Sequence, residues 1–259
     1  MGTELGRRGV DTRGPLFSAA ALLDGRGRAL VRALHREYVE AGAEVVTACT
    51  FRTTRRAAGP RWRELLDAAV AAARDSGARV AGSMAPLEDC YRPELRPPPE
   101  IARREYAELA EALAGGCDLL LVETVASAEE GLATLEAAAA TGLPVWVAAQ
   151  AGPRGTMLDG SDLRVFFAAA AQRGARALLV NCTPCDGIDA VLDAAAPHGL
   201  PFGAYANAGE IDPASGWQGQ GTVSPERYAE RARAWIARGA SIVGGCCGTG
   251  PDHVRRLAR

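Results

Sequence analysis

Cys246 and Cys247 stand side by side in Ser241-Ile242-Val243-Gly244-Gly245-Cys246-Cys247-Gly248-Thr249-Gly250, an apolar run that breaks into glycines. On a regular strand, adjacent side chains face opposite ways. Two neighbouring cysteines act on one atom only if the backbone bends around them, and flanking glycines permit that bend. Cys182 closes a second apolar run, Ala177-Leu178-Leu179-Val180-Asn181-Cys182. Three thiolates with a fourth position left open are a ligand set for catalytic zinc, although sulfur also suits Cu(I) or an iron–sulfur cluster. Cys185 keeps two rival readings alive. With the other three it could close a Cys₄ structural zinc site, or with Cys182 it could form a C-x-x-C redox pair. Buried thiols without a metal are the remaining alternative. Cys90 and Cys117 have no partner motif and read as inert.

The elements that must bring these thiols together are legible as an alternation. Apolar, β-branched runs at 44–49, 79–84, 118–123, 144–150, 177–182, 201–207 and 241–246 read as strands. Helical spacing fills the intervals, near 28–41, 61–76, 100–114, 127–141, 161–173, 187–196 and 225–238. Residues 1–25 contain no clear strand. The strand runs are continuously apolar, as expected where a parallel sheet is covered on both faces. No G-x-G-x-x-G turn follows a first strand, which disfavours a doubly wound dinucleotide fold. The expectation is one TIM-type (β/α)8 barrel domain over residues 1–259, lacking its first N-terminal strand. In such barrels the chemistry sits at the carboxyl ends of the strands. Here those ends carry Cys49, Ser83, Glu123, Gln150, Asn181 and Cys182, Asn207, and the cysteine pair. Counting an absent strand as the first, Cys49, Glu123, Cys182 and Cys246 fall on even strands. Alternate strands share a side-chain layer, so Cys182 can approach Cys246 and Cys247.

Composition narrows the function. All 29 basic residues are arginine, so lysine-dependent Schiff bases, pyridoxal phosphate anchoring and P-loops are excluded within this chain. Three histidines at scattered positions do not make a His-rich metal site, and His253 reads as a surface residue. A net charge of −2 gives no electrostatic case for a nucleic-acid or membrane partner. No run approaches a membrane span and no signal peptide opens the chain, so the expectation is a soluble cytoplasmic protein.

These motifs resemble the homocysteine S-methyltransferase family over nearly the whole chain. The resemblance rests on Gly244-Gly245-Cys246-Cys247-Gly248-Thr249 with Asn181-Cys182, joined by Met1-Gly2-Thr3-Glu4-Leu5, Glu123-Thr124 and Tyr205-Ala206-Asn207-Ala208-Gly209-Glu210. It implies Zn2+ on Cys182, Cys246 and Cys247, with Cys185 a bystander and no catalytic group beyond the metal site. Homocysteine sulfur would take the fourth position as a thiolate and attack the methyl group of a small donor: S-methylmethionine, S-adenosylmethionine or betaine. No general base is then needed, in keeping with the scarcity of histidine. Glu123 is the expected anchor for the substrate ammonium, with Asn207, Ser83 and Thr47 as weaker substrate contacts. Segments 85–99 and 208–223 would form the donor side. In relatives an apolar strand ending Asp-Gly precedes the segment matching Met1, and its absence would open a gap between the strands at 44–49 and 241–246. Unpaired edges of that kind favour self-association, so a homo-oligomer is one way to cover them. A zinc-stabilised, catalytically impaired scaffold of the same fold is the competing function.

Overall fold

The computed structural model describes residues 1–212, 216–217 and 222–258. Helices α1 (Gly2–Arg7) and α2 (Gly25–Glu40) lead into β1 (Val45–Thr47), followed by α3 (Arg55–Ala58), α4 (Trp62–Arg74) and β2 (Arg79–Met84). The alternation continues through α5 (Pro99–Ala114), β3 (Leu119–Val125), α6 (Ala128–Ala139), β4 (Val145–Ala149), α7 (Leu163–Gln172), β5 (Ala177–Pro184), α8 (Ile188–Val191) and β6 (Phe202–Asn207). A small antiparallel pair, β7 (Ile211–Asp212) and β8 (Gly216–Trp217), precedes α9 (Pro225–Ala237), β9 (Ile242–Gly245) and α10 (Pro251–Leu257). Segment 208–223, expected on the donor side, lies partly outside the described residues.

Seven parallel strands form one sheet in the order β1-β2-β3-β4-β5-β6-β9. This is the α/β, TIM-like wall expected, one strand short of eight. Alternation along each strand sorts the core into two layers. Ala81, Leu119, Leu121, Ala148 and Leu179 form the inner cluster, with Val45, Trp146, Tyr205 and Ile242 against it. Their neighbours Val80, Leu120, Val122, Val147, Leu178 and Val180 pack outward on helical residues such as Leu66, Tyr106, Phe166 and Trp235. Both edge strands, β1 and β9, line a single cavity of about 420 Å³, so the sheet curls until its edges face one another. Among the described residues no ladder joins them.

Helix starts follow local chemistry. Asp24, Thr54, Asp162 and Ser224 each accept a backbone N–H three residues on, capping α2, α3, α7 and α9. Proline opens α5, α9 and α10 at a position where its missing N–H costs nothing. Between β6 and β9, Gly203 is required by close approach: a Cβ there would lie 1.7 Å from the Ile242 carbonyl oxygen.

Residues 1–25, where no clear strand is expected, carry none; they include α1, which packs Leu5 into a second core with Leu22, Val31, Leu34 and Leu65. Two expectations need correction. His253 is buried rather than on the surface; its Nδ1 accepts the Gly250 N–H at 3.2 Å and its Nε2 meets the Val223 carbonyl at 3.1 Å. The interval near 187–196 is only one α-helical turn, α8, continued by 3₁₀ turns.

Candidate metal centre

Cys182 escapes the regular strand by backbone strain. Its φ is 48°, and Thr124, on the second strand away, has φ 59°; both lie in the left-handed region that ordinary residues avoid. Asn181 clasps the two sites together. Its Nδ2 donates to Thr124 Oγ1 at 2.9 Å, and its Oδ1 accepts the Thr124 N–H at 3.1 Å. The register slips at both places, between Val122 and Val125 and between Asn181 and Pro184. The bulge at β5 re-aims Cys182 toward the mouth.

The cysteine pair is held in a turn just past β9. Cys246 N–H donates to the Ala206 carbonyl at 2.8 Å, and Ala208 N–H donates to the Cys247 carbonyl at 2.8 Å. Asn207 Oδ1 accepts the Cys247 N–H at 3.1 Å, while its Nδ2 lies 3.9 Å from Cys182 Sγ. Gly248 follows at φ 80°, a turn conformation suited to glycine. Helix α1 braces this turn from outside: Thr3 Oγ1 accepts the Gly248 N–H at 3.0 Å, and Arg7 donates to the Gly248 carbonyl at 3.2 Å.

Sulfur atoms of Cys182, Cys246 and Cys247 all lie within 4.8 Å of one another. Tetrahedral zinc with sulfur at about 2.3 Å needs ligand sulfurs roughly 3.8 Å apart, so the donor set fits with little movement. Cys182 is held well below the ordinary thiol range, chiefly by hydrogen bonds from Cys246 and Cys247. Those two are pushed up, chiefly by the same bonds to Cys182. A cluster that stabilises one thiolate and crowds the others is poised to exchange its protons for a soft cation. Among the described residues Cys185 is not in the cluster; it is buried, and its thiol is raised by that burial. Cys90 is likewise buried and raised, by burial first and then by the charge of Cys182.

Glu123 sits nearby, buried on β3. Ser83 Oγ donates to its Oε1 at 2.5 Å and Tyr205 OH donates to its Oε2 at 2.9 Å. Burial raises its pKa, and those two hydrogen bonds work against that rise. A desolvated carboxylate with fixed oxygens is a ready partner for a buried ammonium. The remaining expected contacts fall in different places. Ser83 is spent on Glu123 and Asn207 on the cysteine turn, while Thr47 lines the cavity between β1 and β9.

Two tyrosines at the site were not singled out from sequence. Tyr91 comes from the loop at 85–99, and its hydroxyl lies 3.3 Å from Cys182 Sγ. Nothing in that Pro-rich stretch marks it. Tyr205 could have been found, because it precedes Asn207 by two on one strand and so shares its face.

The profile of the homocysteine S-methyltransferase family matches residues 1–259. The chain is 31% identical over 261 residues to methionine synthase of Mycobacterium leprae, which covers 88% of this chain. It spans only about a fifth of the length of the mycobacterial methionine synthases it matches, 21% in each case. It is 26% identical over 312 residues to homocysteine S-methyltransferase YbgG of Bacillus subtilis, covering 100% of this chain and 91% of that one. The metallated form of the homocysteine methyltransferase MmuM from Escherichia coli superposes with a TM-score of 0.82 at 26% identity, over 100% of this chain and 93% of that one. Its oxidised form gives 0.86 at 26% identity, over 99% and 92%.

Proposed function

We propose a function from one premise: this chain belongs to the homocysteine S-methyltransferase family, and it is a methyltransferase acting on a thiol. The reading is transfer of a methyl group from a small donor to the sulfur of homocysteine, giving methionine, at a zinc held by Cys182, Cys246 and Cys247. The observation that carries it is the convergence of three sulfurs from two distant segments beside a buried carboxylate.

Zinc held by those cysteines would supply deprotonation of the incoming thiol, which otherwise stays mostly protonated at neutral pH with a pKa of about 8.5. The chain's own residues do the rest. Glu123, its oxygens fixed by Ser83 and Tyr205, binds the α-ammonium and sets the distance from that end of the substrate to the sulfur. Asn207 and α1 keep the cysteine turn in shape. Asn181 keeps Cys182 in its strained conformation. Tyr91, from the loop at 85–99, sets its hydroxyl beside Cys182 Sγ at 3.3 Å. In the transfer itself, a bond forms between sulfur and the methyl carbon. The carbon–heteroatom bond of the donor breaks, its electron pair leaving with the neutral thioether or amine. No histidine or carboxylate is required to move a proton in that step.

S-methylmethionine, S-adenosylmethionine and betaine are the donors to compare. Among the described residues no helix is long and apolar enough to cross a membrane, and the substrates are small, water-soluble molecules. The test is zinc stoichiometry together with methionine formation from homocysteine and each donor in turn. Bound zinc with no methionine from any donor would favour the scaffold reading instead.

A further inference from the structure

Among the described residues, the buried polar side chains next to the cysteines come in satisfied pairs, and Gln150 departs from that pattern. Ser83 and Tyr205 bond Glu123, Asn181 bonds Thr124, and Asn207 bonds the cysteine turn. Gln150 is only 2% exposed, and neither its Nε2 nor its Oε1 has a hydrogen-bond partner among the described residues. It is the one described side chain with two such orphaned atoms. An amide left in that condition is destabilising, so the sequence tolerates a cost here that a glutamine on the protein surface would not incur.

Its place explains the cost. Gln150 follows β4 and continues the inward series of Trp146 and Ala148, while its backbone N–H is spent on the Val125 carbonyl at 3.0 Å. In the sheet, β4 lies between β3, which carries Glu123, and β5, which carries Cys182. The Gln150 amide lies beside the Cys182 thiol without reaching bonding geometry. A molecule with its sulfur at the cysteines and its ammonium at Glu123 must therefore cross over Gln150. What remains unread on such a molecule is its α-carboxylate. A carboxamide is suited to it: a neutral donor, which adds no charge to compete with the ammonium for Glu123.

We infer that Gln150 is a specificity-determining residue, whose Nε2 donates to the α-carboxylate of the thiol substrate and so selects α-amino-acid thiols over simple aminothiols. This rests on the methyl-transfer reading for the identity of the substrate, but its test does not depend on turnover. A site built to hydrogen-bond one group rejects the analogue that lacks it.

The experiment compares homocysteine with 3-aminopropane-1-thiol, the same molecule without its carboxylate, by calorimetric binding to the zinc-loaded protein. Methyl transfer to each is followed in parallel. The unaltered protein should bind homocysteine roughly 10- to 100-fold more tightly than the analogue, the range for a charge-assisted hydrogen bond. Gln150→Met should collapse most of that ratio by weakening homocysteine, raising KM rather than lowering kcat, with zinc content unchanged. Gln150→Glu should invert it, repelling the carboxylate while keeping or improving the aminothiol. A ratio unmoved in both variants overturns the inference, as does equal weakening of both ligands or no discrimination by the unaltered protein. Tight binding of homocysteine without methyl transfer would sink the proposed reaction and leave the role of Gln150 standing on the binding ratio.

Discussion

Two stretches of the barrel wall contrast sharply in how completely they are bonded. From β3 round to β9 the ladder is continuous, and the cysteine turn is tied down by Asn207, Ala206, Thr3 and Arg7. Between β9 and β1 no ladder is present among the described residues, and the edges face each other across a cavity of about 420 Å³. His35 lines that cavity, buried, with its Nε2 unpartnered. The contrast separates two properties. On the proposed function, metal and substrate chemistry fall to the bonded arc, whereas acid sensitivity and self-association are expected at the open one. Strain is tolerated at Cys182 and Thr124 because the surrounding arc over-determines them; the open side has no such surplus of bonds.

The sharpest way to break the comparison is at the bonded arc. Cys182→Ser should take zinc from about one ion per chain toward none and abolish turnover with it. Metal analysis checks this, and full occupancy in the variant would remove Cys182 from the ligand set. Next comes Glu123→Ala, which should weaken homocysteine by about 4 kcal/mol, roughly a thousandfold, through loss of a buried charge partner. Zinc content should not change. If metal is lost along with substrate, the carboxylate supports the cysteines rather than the ammonium.

On the open side the expected effects are smaller and fall on stability. Burial pushes the His35 pKa down to about 4 from 6.5. A depressed folded-state pKa means the neutral ring is favoured in the fold. The contribution is therefore complete above about pH 6.5 and is lost as pH falls toward 4, amounting to about 3 kcal/mol. His35→Leu should flatten the stability profile over that window, as read by urea titrations at pH 7 and pH 4.5. An unchanged slope would place the acid sensitivity elsewhere. Smallest of all, Val45→Lys puts a charge on the β1 edge and should reduce concentration-dependent association a few-fold, as inward or edge lysines do elsewhere. Light scattering across a dilution series checks it; association indifferent to the edge charge would mean that the slot is not where copies meet.

Much of the bonded arc was legible in sequence. Continuous apolar runs such as Leu119–Val122 and Ala177–Val180 betray strands buried on both faces, and strand ends then order Glu123, Cys182 and Cys246 around one rim. Conformation and tertiary partners were harder to foresee. The positive φ of Cys182 comes from the Asn181 clasp and the bulge, neither of which has a local signature. Tyr91 reaches Cys182 from a loop without periodicity, and Thr3 reaches Gly248 from the opposite end of the chain. His253 looked exposed because it opens a terminal helix, yet its ring is enclosed by Tyr228 and the Val223 carbonyl.

Zinc K-edge X-ray absorption on the metal-loaded protein, before and after homocysteine, addresses the three-sulfur site itself. Three sulfur scatterers at about 2.3 Å, rising to four when homocysteine is added, is the outcome that the geometry of Cys182, Cys246 and Cys247 predicts. Four sulfurs before any substrate, fewer than three, or no change on adding it would contradict a site that holds its metal with one place for the thiol.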